Sequence, residues 1–218
     1  MVARRWTTKM AAVKTIDLRA ANVYEIRCGY GTWSEVKAGT ASLVLASAVD
    51  VYARLQMGGL GARAFQGQMS WDMSAIPPGS VIKSATLKLY GIDWYSNVNV
   101  QDLLVFPSTW DGAGNVVTGD YTVWTGLSAT DRATDADYSF PIGSYGYVTN
   151  NLNAASLADL QAALGSGSFA LMALCTDAVN EVGGGFDTET VQVDGVTNVP
   201  ELTITYEPGN GIQLGVNI

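Results

Sequence analysis

Apolar and polar residues alternate with a period of two in three stretches of the chain, the spacing that sends successive side chains to opposite faces of a strand. Over 63–73, Phe65, Gly67, Met69, Trp71 and Met73 share one phase, and Gln66, Gln68, Ser70 and Asp72 share the other. Over 81–90, Ala85, Leu87 and Leu89 alternate with Ser84, Thr86 and Lys88. Over 201–206, Leu202, Ile204 and Tyr206 alternate with Glu201, Thr203 and Thr205. Each stretch predicts a half-buried strand of an antiparallel sandwich. The prolines of Ile-Pro-Pro-Gly-Ser at 76–80 fix φ and remove backbone donors, so the chain turns between the first two.

Further strands are expected over 42–47, 49–56, 98–106 and 168–176. The last is so uniformly apolar that both its faces should be covered. Within 98–106 the phase of Val98 and Val100 resumes shifted by one at Leu103 and Val105, which predicts a bulge near Gln101. One helix stands out. Asn153 is its cap, Leu157, Leu160, Ala163 and Leu164 form an apolar stripe, and Gly165 is the expected left-handed stop. With no basic residue on it, this helix is expected to plug an open end of the sandwich. No internal repeat or low-complexity segment interrupts the pattern.

A chain of 218 residues with 48% apolar residues, 15% charged residues and 24 glycines suits one large all-β domain of short strands and tight turns. The expected division is an N-terminal arm over 1–40, a sandwich over 41–206 and a C-terminal tail over 207–218. Charge sharpens that division. Arg4, Arg5, Lys9, Lys14, Arg19 and Arg27 stand against Asp17 and Glu25 in residues 1–27, which are therefore +4, and the rest of the chain is −12 within a total of −8. A basic arm on an acidic body suits docking onto another copy or another protein, with Arg4, Arg5, Trp6 and Lys9 in the arm and Ile212 and Leu214 in the tail as the expected interface. The body's own sign argues against nucleic acid. No run approaches the roughly 18 apolar residues of a membrane helix, and the basic start has no apolar run of the signal-peptide kind behind it, so export is not expected.

The segment 69–93 carries a family resemblance. Trp71, Asp72, Met73 and Ser74, then Ile76, Pro77 and Gly79, then Ser84, Ala85, Thr86 and Leu87 form a strand, turn and strand. This resembles a signature of the extracellular jelly-roll repeats related to archaeal disaggregatase repeats, the DNRLRE domains. The later order is similar too: Tyr147, Val148 and Thr149, a short helix, a Gly/Ser turn, the apolar strand at 169–175 and a closing strand with Pro200, Leu202, Thr205 and Tyr206. The resemblance covers about residues 42–206. It implies an antiparallel jelly-roll β-sandwich with one short helix, in a family mostly associated with carbohydrate or cell surfaces. The basic arm and the missing export signal depart from that family.

The sequence contains no histidine, which removes the usual catalytic triads, imidazole metal sites and the commonest general base. A carboxylate pair would suffice for glycoside hydrolysis, but nothing among the 20 acidic residues selects one. Cys28 and Cys175 are far apart and outside any paired-cysteine spacing, and they read as two small buried thiols. No cofactor is expected. Asp111–Asn115 and the trio Asp131, Asp135 and Asp137 offer oxygen ligands of the calcium type, without the spacing of a recognised calcium loop; ordinary turn aspartates are the alternative. Trp94, Tyr95, Trp110 and Trp124 are the candidates for stacking on a glycan, the alternative being that such rings pack the loops down or fill an interface.

Together these features point to a non-enzymatic domain. The first expectation is a virion structural protein, assembled in the host cytoplasm. It would be a capsid decoration or a head or tail appendage, with other copies of itself, other capsid or tail proteins and host surface glycans as partners. The alternative is a carbohydrate-binding module of a surface or secreted protein.

Overall fold

A computed structural model describes residues 12–47, 50–58, 61–92, 100–112, 115–141, 145–176, 179 and 188–209. Among them are twelve strands: β1 (Lys14–Arg19), β2 (Asn22–Gly31), β3 (Leu43–Ser47), β4 (Asp50–Gly58), β5 (Gly61–Asp72), β6 (Val81–Ile92), β7 (Val100–Pro107), β8 (Tyr138–Pro141), β9 (Gly146–Asn151), β10 (Ser168–Cys175), β11 (Thr188–Asp194) and β12 (Glu201–Glu207). Helix α1 (Trp33–Ala38) follows β2 and helix α2 (Ala154–Ala163) follows β9. The expected all-β antiparallel sandwich is therefore what the chain forms.

Two twelve-residue strands organise it. One edge of β5 pairs with β2, and its other edge pairs first with β4, over 61–65, then with β10, over 67–72. One edge of β6 pairs with β9, and its other edge pairs first with β12 and then, at Gly91 and Ile92, with β11. The result is a layer in the order β3-β2-β5-β10-β7-β8 facing a layer in the order β1-β12-β6-β9, with the β4–β11 pair joining the ends of β5 and β6 at a corner. Between the layers lie Met69 and Trp71 of β5, Leu87 and Leu89 of β6, and Leu202 and Ile204 of β12, all fully buried. Each such side chain contributes about 1.5–3 kcal/mol of burial free energy. The Trp71 indole donates to Pro200 O (3.3 Å) and the Tyr138 hydroxyl to Leu87 O (2.7 Å), so each ring's polar atom is satisfied on the facing layer.

Several expectations are corrected. The stretch 63–73 is not half-buried, since its polar phase, Gln66, Gln68 and Ser70, is as inaccessible as its apolar phase. The outer face of β5 lies under the segment that follows β7. The Gln66 amide donates to Thr122 O (2.6 Å) and accepts from Thr122 N (3.1 Å), while Ser108 donates to Gln68 Oε1 (2.7 Å). The arm expected over 1–40 is part of the fold from residue 14 onward. There β1 pairs with β12 along its whole length, β2 lies against β5, and Ile26, Cys28 and Val36 belong to the buried core. Helix α1 had a legible signal: Thr32 accepts from Glu35 N (3.3 Å), Glu35 accepts from Thr32 N (2.7 Å), and Gly39 ends the helix at φ 66°. No bulge marks Gln101 among the described residues, because β7 pairs with β8 without a shift from Val100 to Leu103; Val98 lies outside them. The slip in phase arises because Leu103, Leu104, Val105 and Phe106 are all buried, leaving no polar phase to keep.

Helix α2 is capped as expected, with Asn153 Oδ1 accepting from Ser156 N (2.9 Å) and Leu160 fully buried. Gln161 docks it to the start of β6, accepting from Ile82 N (2.8 Å) and donating to Ser80 O (3.0 Å). The left-handed residue that ends the turn after it is Gly167 (φ 86°) rather than Gly165. In the expected tail, β12 runs to Glu207, and residues 210–218 lie outside the described residues. None of the helices described is long and apolar enough to cross a membrane.

Candidate functional site

The outer face of the β1-β12-β6-β9 layer is built by the polar phase of four alternating strands. Their register sets these side chains in rows. Ser84 lies opposite Thr205, and Thr86 sits between Thr203 and Asn151. Lys88 sits between Glu201 and Thr149, and Tyr90 is opposite Tyr147. On the far side of β12, Asp17 is opposite Thr203 and Arg19 opposite Glu201. The burial of β9 alternates strictly, with Tyr147, Thr149 and Asn151 exposed. Rows along a strand repeat at about 6.8 Å and neighbouring strands at about 4.8 Å, so this is a shallow, polar, ordered surface.

At one end of it the polar phase becomes aromatic. The rings of Tyr90 and Tyr147 meet edge to face with centroids 4.8 Å apart. The Lys88 ammonium lies 4.3 Å from the Tyr147 ring centroid and 3.4 Å from Glu201 Oε1. Tyr147 is 51% exposed, and Tyr145, two residues earlier, is 62% exposed. A large exposed aromatic on the polar face of a strand has lost the burial energy such a ring usually gains, and here that exposure is actively maintained. The Tyr147 hydroxyl reaches across β6 to donate to Asn198 Oδ1 (2.8 Å).

Asn198 is itself held by Asp194, at the end of β11. The Asp194 carboxylate, 7% exposed, accepts from Val196 N (2.8 Å), Thr197 N (2.9 Å), Asn198 N (2.9 Å) and Asn198 Nδ2 (2.9 Å). Burial alone pushes its pKa up, but the hydrogen bonds to the backbone and to Asn198 outweigh that, and the net shift is downward. The sequence Asp-Gly-Val-Thr-Asn at 194–198 thus folds as a turn around one carboxylate, and Arg19 fastens its outside by donating to Thr197 O (3.2 Å). A ring pair, a cation over one ring, and amide and hydroxyl groups at fixed spacing give this surface both an aromatic face and hydrogen-bonding groups. Among the described residues no nucleophile–base pair is assembled there.

The residues singled out for glycan stacking fare differently. Trp124 is fully buried and Trp110 is 3% exposed, so neither offers a ring face to solvent. They anchor the segment over β5. The Trp124 indole donates to the Tyr121 hydroxyl (3.0 Å), which donates to Val36 O (2.8 Å), and Trp33 packs edge-on against Trp124 with centroids 5.6 Å apart. Trp110 meets Tyr24 edge to face at 5.6 Å. Trp94 and Tyr95, and the expected interface residues Arg4, Arg5, Trp6, Lys9, Ile212 and Leu214, lie outside the described residues. Tyr90, Asp194 and Asn198 were not singled out from sequence, and Tyr147 entered only as part of the family resemblance. The signal was there: Tyr90 continues the phase of Ser84, Thr86 and Lys88, and Tyr147 shares the phase of Thr149 and Asn151.

Of the calcium candidates, Asn115, Asp131 and Asp137 have partners within the fold: Asn115 Oδ1 accepts from the Tyr24 hydroxyl (2.7 Å). Asp131 accepts from Ser128 N (2.8 Å) and Ser128 Oγ (2.8 Å), and Asp137 pairs with Arg132 (3.0 Å). Among the described residues no three acidic or cysteine side chains gather as metal ligands do. Cys28 and Cys175 are both free and both buried. A groove of about 460 Å3 between α2 and the end of β7 includes Trp110, Asp111, Asp159 and Phe169. The hydroxyls on its wall are already used, Ser108 by Gln68 and Ser168 by Asp111 O (2.5 Å).

No family model matches the chain, and no curated protein does. Among solved structures, a chain crystallised in complex with neoagarooctaose is similar over 88% of this chain and 30% of that one, at 10% identity and a TM-score of 0.26. This chain therefore spans less than a third of that chain's length, and a likeness so slight carries no argument about ligand or activity.

Proposed function

We propose that this protein works by binding rather than catalysis, and that it binds carbohydrate through the outer face of the β1-β12-β6-β9 layer. The observation that carries the reading is the Tyr90–Tyr147 pair, in which Tyr90 is half-buried while Tyr147 is exposed yet held in place through Asn198 and the Asp194 turn. Sugar rings are apolar on their faces and polar around their edges. An aromatic ring with a fixed position meets the first, and the Lys88, Glu201, Thr149 and Asn198 groups around it meet the second. The lack of any histidine in the sequence is in keeping with a binding role.

Affinity electrophoresis through gels containing different polysaccharides tests this. The protein is expected to be retarded by at least one of them. Tyr147→Ala, which removes an exposed side chain, is expected to keep the fold and lose at least about tenfold in affinity, or ~1.4 kcal/mol. Retardation equal in the variant, or absent for every polysaccharide, sinks the reading.

A second reading is favoured by strand β1. It is an edge strand paired only with β12 among the described residues, and residues 1–11, with their cluster of basic side chains, lead into it. Such an edge accepts another strand. On this reading the domain is a virion component that assembles through its terminal segments, and the tyrosine face is the part that meets host glycans. Because residues 14–40 are part of the sandwich, the deletion that tests it removes residues 1–11 only. Light scattering is expected to find a defined oligomer for the full chain and a folded monomer for the shortened one; two monomers rule the assembly reading out.

A further inference from the structure

We propose that the ligand of the tyrosine face is an uncharged oligosaccharide lying lengthwise along β6, from the Tyr90–Tyr147 pair toward Ser84; this rests on the carbohydrate reading above. Three observations carry it. The first is direction. The aromatic row stands at one end of β6 only, and behind it the rows of Lys88, Thr86 and Ser84 continue in line, flanked by β12 and β9. Three row intervals span about 20 Å, longer than a single sugar ring needs.

The second is free hydrogen-bonding capacity. Thr86, Thr149 and Asn151 make no side-chain hydrogen bond among the described residues, although their neighbours do. Thr203 donates to Asp17 (2.6 Å), and the hydroxyls of Thr15 and Thr205 are 3.3 Å apart. The unengaged groups lie on β6 and β9, on the same side of β12 as the tyrosines. The third is charge. Arg19 and Lys88 are balanced in these rows by Asp17 and Glu201, with Lys88 paired to Glu201, and the Asp194 carboxylate beside the tyrosines adds a negative charge, so the face offers nothing to attract an anionic ligand. Residues 28–218 are −12, so the surrounding field repels a uronate or sulfated chain.

Titration calorimetry is the test, with neutral glucan, galactan and mannan oligosaccharides, their monosaccharides, and uronate and sulfated oligosaccharides as probes. A neutral oligosaccharide is expected to bind at least about tenfold tighter than its monosaccharide and at least about tenfold tighter than any charged one. Thr86→Arg, which lays a long side chain across the row two places from the tyrosines, is expected to weaken the oligosaccharide by a similar factor and leave the monosaccharide unchanged. Asn151→Ala, on the exposed edge strand, should act in the same direction to a smaller extent and guards against misfolding of the first variant. Tyr147-dependent binding that favours charged chains, that ignores chain length, or that neither variant changes overturns this inference and leaves the carbohydrate reading intact. Failure of every probe to bind in a Tyr147-dependent way overturns the carbohydrate reading itself.

Discussion

Replacing Asp194 by alanine removes one carboxylate from under a five-residue turn and, through Asn198, one support from Tyr147. Four hydrogen bonds of 2.8–2.9 Å end on that carboxylate. A bond to a charged acceptor is worth about 1.5–3 kcal/mol net, but the full sum does not apply. Val196 and Thr197 are exposed, so their amides find water once the carboxylate is gone. The expected loss is that of one or two bonds, about 1.5–6 kcal/mol. Against a typical stability of about 5–15 kcal/mol this is large, and for a chain of this size it lowers Tm by roughly 3–24 °C. Urea unfolding followed by tryptophan fluorescence measures it.

The pH dependence has a definite sign. The folded pKa of Asp194 lies below the ordinary carboxylate value of about 3.9. Its contribution is therefore complete above about pH 4 and disappears as the pH falls through the folded pKa. The stability gap between the native chain and Asp194→Ala should be constant near neutrality and close in acid. Glu35, Asp72 and Asp131 also have lowered pKa values, each from hydrogen bonds within its own turn, but they are common to both proteins and cancel in the difference. A loss smaller than ~1 kcal/mol, or a gap that does not narrow through the acid transition, refutes the account of the turn as organised by this carboxylate. Glycan affinity should fall with the same substitution, because Tyr147 loses the partner that holds its hydroxyl.

Gln66→Leu keeps the size of a buried side chain but strands the N–H and C=O of Thr122, itself 6% exposed, at about 1–3 kcal/mol each; chemical denaturation should show a loss of roughly 2–6 kcal/mol, and a loss under ~1 kcal/mol would mean that the segment over β5 is not fastened there. Both thiols are fully buried, and desolvation pushes the Cys28 pKa up, so a thiol reagent at neutral pH should label neither cysteine in the folded protein and both in denaturant; rapid labelling of the native chain contradicts the packing of β2 or β10.

The strands were legible where the physical cause is local. Alternation over 81–90 and 201–206 decides which side chains of β6 and β12 face the core, because a strand has no way to send neighbours to the same side. The run at 168–176 reads as covered on both faces for the same reason, having no polar phase to expose, and β10 is so covered from Leu171 to Cys175, with Ser168 and Ala170 half-buried. The Asn153 cap and the Thr32–Glu35 box need only three residues of context. What lies over a strand is a different matter. The polar phase of β5 predicts exposure, yet Gln66 is satisfied by a backbone 56 residues away, and the tryptophans of that distant segment pay for the covering by their own burial.

The tyrosine face belongs to both classes. The phase of Tyr90 and Tyr147 on the polar side of their strands is a property of the sequence alone, as are the absence of histidine and the charge contrast between residues 1–27 and the rest. That the two rings are neighbours, that Lys88 stands over one of them, and that Asp194 steadies it through a residue 51 positions away follows from the pairing of β6 with β9, β11 and β12. Periodicity carries the orientation of a side chain because it is set by the backbone of its own strand. Neighbours from distant strands depend on how the whole chain closes its core, and only the folded structure decides them.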